Sequence, residues 1–177
     1  IFFSMVIYLF SFKIRDIRSQ INHMEYLRNY YESESFVPID ESEFLTFDMM
    51  DTDIKFQDVQ ILASHNSYKK QGSALGHFFV GLGSTKAEAE ALEYENIGLT
   101  EQLRSGIRSF EFDVRKRKTE FMLTHVPLVD NSSTIPNLKL ALEEIYLFST
   151  HHPNHFPITV LIEIKDDWMI LDHALQI

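Results

Sequence analysis

"IRSFEFDV", residues 107–114, alternates polar and apolar side chains over its last six positions, from Ser109 to Val114. Successive side chains of a strand face opposite sides, so the pattern predicts two rows. Phe110, Phe112 and Val114 form one row, suited to packing beneath helices. Ser109, Glu111, Asp113 and Arg115 form the other. Two acids in one row are costly unless something at the end of the strand welcomes negative charge.

The neighbouring segments give this strand its setting. "VQILA" (59–63), "FMLTHV" (121–126) and "PITVLIEI" (157–164) read as further strands. Between them lie helix patterns. "STKAEAEALEYE" (84–95) begins at a Ser84 or Thr85 cap, and "LTEQLRSG" (99–106) stops at Gly106. "NLKLALEEIYLFSTHH" (137–152) begins at Asn137, and "DDWMILDHAL" (166–175) starts a further helix. Residues 64–84 read as a polar, glycine-containing stretch. The alternation predicts an α/β fold with a parallel sheet whose strands are buried on both faces. An eight-stranded barrel takes about 250 residues. Four strands within residues 58–177 predict about the first half of a TIM-barrel-like fold, with further units expected beyond Ile177. These residues alone are then expected to fold poorly and to be inactive.

The segment before the barrel reads as two pieces. Residues 1–31 open with "IFFSMVIYLFSF", twelve uncharged residues followed by Lys13, Arg15 and Arg18. Ile14, Ile17, Ile21, Met24 and Leu27 then recur at helical spacing. The reading is an apolar anchor running into an amphipathic helix, hence a membrane-associated protein. If the apolar run belongs to a signal sequence, the protein is extracytoplasmic or secreted. Residues 32–57 are acidic and aperiodic, a linker that packs partly through its phenylalanines.

Composition narrows the chemistry. The formal charge is −10, which leaves no basic excess for nucleic acid. The chain has no cysteine, which excludes disulfides, zinc–thiolate sites and thiol catalysis.

In α/β folds chemistry gathers at the C-terminal ends of strands. The first strand here leads to His65 and Asn66. The second carries Glu111 and Asp113, the third leads to His125, and the fourth carries Glu163 with Lys165 two residues on. Carboxylates and the Asn66 amide are oxygen ligands, suited to calcium or magnesium rather than zinc. Two histidines beside such a cation are the equipment for phosphoryl transfer without a covalent protein intermediate. Arg115 and Lys165 are candidates for holding substrate phosphate. "RKRK" (115–118) reads otherwise as a solvated loop, and so does "HHPNH" (151–155). His77, in "GHFF", lies on the active face.

These residues resemble the calcium-dependent branch of the phosphatidylinositol-specific phospholipase C family. Ser64-His65-Asn66-Ser67-Tyr68 is similar to its S-H-N-[ST]-Y opening, and "GIRSFEFDV" (106–114) to its Gly-x-Arg before an E-x-D strand. "THVPLVD" (124–130) and "HPNHFPITVLIEIKDD" (152–167) continue the likeness. The resemblance implies that His65 stabilises the transition-state phosphate and that His125 protonates the leaving alcohol. It implies Asn66, Glu111, Asp113 and Glu163 as calcium ligands, one carboxylate also helping the inositol 2-hydroxyl to attack. The substrate implied is a phospholipid at a membrane surface. "YENIGL" (94–99) departs from the bacterial form, lacking a histidine and prolines.

Two other classes remain open. A glycerophosphodiester phosphodiesterase uses a similar barrel but opens with His-Arg-Gly, where this chain has His65-Asn66-Ser67. A catalytically inactive, membrane-anchored barrel remnant would serve as a binding module.

Overall fold

Strand β2, Ile107–Arg117, organises everything else in the chain. The structure, a computed structural model, describes residues 2–42 and 53–165. β2 pairs in parallel with β1 (Leu62–Ser64) through Ile107–Phe110. It pairs in parallel with β4 (Thr159–Ile164) through Ser109–Val114. Its last four residues pair antiparallel with β3 (Glu120–Leu123). The result is a four-stranded mixed α/β sheet that is not closed.

The expected all-parallel order therefore needs correcting. The chain turns straight back after β2 through Lys118, whose φ of +54° makes the tight reversal. That hairpin places Arg115, Lys116 and Arg117 inside the strand, so the basic run is not a loop. The expected burial of both sheet faces also fails for β4. Val160 and Ile158 pack on the core, whereas Leu161, Ile162 and Ile164 are exposed. α5 (Leu138–His151) packs on the core and no described helix covers the other side of β4. A partial barrel is not established by this open sheet. The helix expected from 166 lies outside the described residues.

The predicted rows of β2 account for the core. Phe110 and Phe112 are fully buried and Val114 nearly so, against Phe148 of α5 and Leu99 and Leu103 of α4 (Leu99–Arg104). Asn137 caps α5 by accepting from the Leu140 N–H at 3.1 Å. Gly106, at φ +88°, ends α4 in the left-handed region that glycine enters without strain.

Two helices occupy the span after β1. α2, Ala74–Gly83, falls where a polar stretch was expected. Its three glycines cost helix propensity, about 1 kcal/mol each. Packing overrides that cost at Gly76, where an added Cβ would sit 2.0 Å from the Val129 carbonyl oxygen. α3, Lys86–Ala91, starts at Thr85, whose hydroxyl accepts from the Glu88 N–H at 3.2 Å.

α1 runs unbroken from Phe2 to Tyr31 and lies on α5. Met24, Leu27 and Tyr31 are buried against Leu140 and Leu147. Polar contacts fix its register: Asp16 accepts from the Ser133 N–H at 3.1 Å, and Gln20 both donates to and accepts from the Asn137 backbone. No described helix is long and apolar enough to cross a membrane. Beyond α1, Phe36 packs against the rings of Tyr31, His151 and His152, and Glu41 pairs with the buried Arg108. His152 is itself buried, its ring stacked on Phe148 at 4.0 Å, so of "HHPNH" only the turn at Pro153 and Asn154 is exposed.

Glu144, fully buried on α5, holds two elements at once. One oxygen accepts from the Thr100 N–H and hydroxyl in the first turn of α4, at 2.8 and 2.6 Å. The same oxygen meets His23 of α1 at 3.2 Å. That hydrogen bond raises the His23 pKa above its ordinary 6.5, against the opposing effect of burial. A raised histidine contributes its stability in full below the unfolded-state value and loses it as pH rises through the folded-state value. The stability difference between the native chain and His23→Gln is expected to be largest below about pH 6.5 and to shrink above it. Urea unfolding midpoints at pH 5.5 and pH 8.5 check this; a difference independent of pH refutes it.

Candidate active site

The acids of β2 and β4 meet because the two strands pair in register. Asp113 lies directly opposite Glu163 across the parallel ladder, and Glu111 precedes Asp113 by two on the same face. One oxygen each from Glu111, Asp113 and Glu163 lies within 4.8 Å of the others. Asp113 is fully buried, Glu111 half-buried and Glu163 exposed, so the cluster opens outward at Glu163.

Lys165 stands in this cluster. Its ammonium is 2.5 Å from Glu163 Oε1 and 3.3 Å from Asp113 Oδ1. The hydrogen bond to Glu163 raises the Lys165 pKa, and the same bond holds the Glu163 carboxyl below its usual range. Lys165 was a candidate for substrate phosphate; it lies instead among the carboxylates, where it neutralises part of their charge.

β1 delivers His65 and Asn66 beside the acids. Asn66 adopts φ +47°, a left-handed conformation that asparagine tolerates better than most residues. Its N–H donates to Glu111 Oε2 at 2.7 Å. Ser67 then pairs with the backbone of Glu111 in both directions, N–H to carbonyl and N–H to hydroxyl, each at 3.0 Å. This lock fixes the turn against β2. The buried Asn66 amide donates to the Tyr94 hydroxyl at 2.7 Å, and its oxygen accepts from the Tyr68 hydroxyl at 3.4 Å. Tyr68 also donates to Asp113 Oδ2 at 3.0 Å. Burial and the neighbouring Asp113 charge push the Tyr68 hydroxyl far up in pKa, so it remains a donor. His65 is exposed at the rim.

His125 sits two residues beyond β3. Its Nδ1 is 3.0 Å from Oδ2 of the fully buried Asp130. With Nδ1 so bonded, Nε2 is the nitrogen left to exchange a proton. Asp130 is in turn 3.1 Å from the ammonium of Lys69, which is 1% exposed. Lys69 donates to the carbonyls of Leu92 and Tyr94 and lies over the Tyr94 ring at 4.5 Å. Arg115 was the other candidate for phosphate. It is buried, and its guanidinium donates to the carbonyls of Thr124 and His125 at 3.1 and 2.8 Å. It positions the His125 segment.

The strand-end reading reached His65, Asn66, Glu111, Asp113, His125 and Glu163, and the fold gathers the three acids. It missed Asp130, Lys69, Tyr68, Tyr94 and Asn96. Asn96 donates to the carbonyls of both His65 and Asn66, at 3.1 and 2.8 Å, so the departing "YENIGL" segment supports the turn. The signal for Asp130 was visible, five residues after His125 in a short loop. That for Lys69 was not, since a lysine in a polar stretch reads as solvated.

The donor set suits a hard cation. Glu111, Asp113 and Glu163 offer carboxylate oxygens, Asn66 lies beside them, and no thiolate or imidazole belongs to the cluster. The buried Asp113 Oδ1 has no hydrogen-bond partner, only the Lys165 contact, so an acceptor remains available.

Residues 54–120 match the family model of Ca2+-dependent phosphoinositide phospholipase C. That stretch is similar to this family, and the family's description supports Ca2+ as the ion. Neither the curated proteins nor the solved structures supply a match.

The geometry sets opposite expectations for two variants. Glu163→Gln removes a charged ligand, and Ca2+ affinity measured by calorimetry is expected to fall by at least tenfold. Lys165→Met removes the competing ammonium, and affinity is expected to rise. A rise in neither case and a fall in neither case would dismiss the carboxylate cluster as the ion's seat.

Proposed function

We propose that this chain carries the acid–base and ion-binding residues of a phospholipase C that cleaves phosphatidylinositol-type lipids at a membrane surface. The family match points to phosphoinositide phospholipase activity in general. One observation supports the finer reading best: a three-carboxylate cluster on β2 and β4 together with a histidine, two residues beyond β3, whose Nδ1 is anchored by a buried aspartate.

Asn66, Glu111, Asp113 and Glu163 would hold calcium. When bound, the ion withdraws charge from the phosphate oxygens and lowers the barrier to attack on phosphorus. His125 presents Nε2 as the general acid, giving its proton to the oxygen of the departing diacylglycerol. Asp130 keeps that ring in one orientation. Exposed at the rim, His65 is free to approach the phosphate and stabilise charge on its oxygens. The nucleophile is the inositol 2-hydroxyl of the substrate itself, relieved of its proton by one of the cluster carboxylates. The buried Tyr68 hydroxyl donates to Asp113 and keeps that carboxylate oriented without competing for protons.

The full-length protein is expected to release inositol phosphate from phosphatidylinositol vesicles with Ca2+ and to lose that activity in EGTA. His125→Ala is expected to lower kcat by about 10²–10⁴-fold. Release of headgroups from glycerophosphodiesters in preference to phosphatidylinositol would favour a different phosphodiesterase, and undiminished activity in His125→Ala would sink this mechanism.

A further inference from the structure

The chain is acidic overall, yet cations gather at one end of the fold. β2 runs past the carboxylate cluster into Lys116 and Arg117, and Lys118 makes the turn to β3. Lys116 and Lys118 are exposed. α1 adjoins this hairpin. Asn137, at the start of α5, donates its N–H to Gln20 of α1 at 2.8 Å and its side-chain amide to Glu120 of β3 at 2.9 Å. Burial, and then the neighbouring Arg117 charge, lower the pKa of Lys13 on α1.

The direction of α1 follows from its partners. Gln20 meets Asn137 at the start of α5, and Tyr31 stacks on His151 at its end, so the two helices run the same way. α5 leads from the C-terminal end of β2 back to the start of its parallel neighbour β4. The residues of α1 before Asp16 therefore continue past the strand ends that carry the ion cluster. From Phe3 to Asp16 the helix covers about 20 Å.

That length bears an uncovered stripe. Phe3, Ile7, Phe10, Ile14 and Ile21 are exposed, with Ile17 half-buried among them. Their spacing alternates between three and four residues, which aligns them along one side of the helix. The packed side is a different one, where Leu9, Gln20, Met24 and Leu27 are buried. At helical spacing Lys13 and Arg18 flank the stripe on opposite sides. The sole acid among residues 2–24, Asp16, is buried on the Ser133 N–H.

We propose that α1 and the β2–β3 hairpin dock on an anionic lipid surface, the stripe entering the interface while Lys13, Arg18, Lys116 and Lys118 face the headgroups. The inference deepens the phospholipase reading and rests on it for the purpose of docking, which is to hold the ion cluster against the lipid. The occupant follows from charge. Cations beside an apolar stripe are the composition of a helix lying in a bilayer interface, and α1 is not apolar enough to span one. On a chain of charge −10 these cations turn a favourable face to a surface that would otherwise repel it. A second copy of the chain fits less well. In a parallel pair of such helices Lys13 would face Arg18 of the other copy, two like charges beside the seam.

Vesicle sedimentation of the full-length protein in EGTA tests docking apart from turnover. Binding to mixed phosphatidylcholine–phosphatidylglycerol vesicles is expected to be at least tenfold tighter than to phosphatidylcholine alone, and to weaken as salt rises. The variants Ile7→Ser/Phe10→Ser/Ile14→Ser and Lys116→Gln/Lys118→Gln are each expected to bind at least tenfold more weakly. All five side chains are exposed, so both variants are expected to keep the native circular dichroism. In hydrolysis, the stripe variant is expected to lose at least tenfold on phosphatidylinositol vesicles while turning over glycerophosphoinositol as the native protein does. No binding by the native protein, equal binding to neutral vesicles, or undiminished binding by the folded stripe variant overturns the docking surface. A native dimer in sedimentation velocity that the stripe variant converts to monomer overturns it too, and gives the stripe to a second copy. Docking intact with neither substrate hydrolysed upholds the surface and counts against the phospholipase reading instead.

Discussion

The ion pair between Lys69 and Asp130 is the constraint on which the candidate site depends. Both side chains are removed from water, at 1% and 0% exposure. Desolvating two charges is expensive, and their attraction alone does not assure a net gain. The surrounding bonds complete the compensation. Lys69 spends its remaining donors on the Leu92 and Tyr94 carbonyls, and Asp130 gives its other oxygen to His125. One pair thus joins the turn after β1, the segment after α3 and the loop after β3. These are the three pieces that carry Asn66, Tyr94 and His125. Breaking such a pair from one side is far costlier than never having built it, because the surviving charge stays buried.

The carboxylate cluster obeys the same electrostatics with a different outcome. Three acids within 4.8 Å repel one another, yet the pairing register of β2 and β4 forces Asp113 and Glu163 to be neighbours. Lys165 relieves part of that repulsion from a half-buried position, where water still screens part of its attraction. A divalent ion carries twice the charge without a side chain to order. The buried pair is therefore a fixture of the fold, whereas the lysine is tied to the acids only from the open side of the cluster. The first builds a site and the second leaves it open to a ligand.

How far the sequence revealed this follows from which interactions are periodic. The rows of β2 were legible because alternation along a strand is a local property, and they placed Phe110, Phe112 and Val114 in the core and the acids opposite. The helix caps at Thr85 and Asn137 and the stop at Gly106 were legible for the same reason. α2 was not. Its glycines argue against a helix, and only the close approach of Gly76 to the Val129 carbonyl shows why they are there. The antiparallel return of β3 was hidden as well, because parallel and antiparallel partners present the same apolar run. Lys69 illustrates the limit best. Its burial depends on Asp130, which is sixty-one residues away in the chain, and nothing in its own neighbourhood signals it.

The helix at the N-terminal side shows that these long-range links extend past the family match. Asp16 accepts from the Ser133 N–H, and Gln20 closes two hydrogen bonds with the Asn137 backbone. The segment between those positions is not a passive loop. Thr134 donates its N–H to the Tyr68 carbonyl at 2.8 Å, and the Ser133 hydroxyl bonds the same carbonyl at 3.1 Å. Tyr68 in turn holds Asp113. A continuous path of hydrogen bonds therefore runs from Asp16 on α1, through Ser133 and Tyr68, to the most buried acid of the ion cluster. Each link is a short bond between groups that are almost wholly buried, where an unsatisfied donor costs about 1–3 kcal/mol. Displacing α1 would expose the Ser133 N–H and loosen the segment that seats Tyr68. The helix read from sequence as an anchor and stripe is thereby coupled to the geometry of the site, whatever else it contacts.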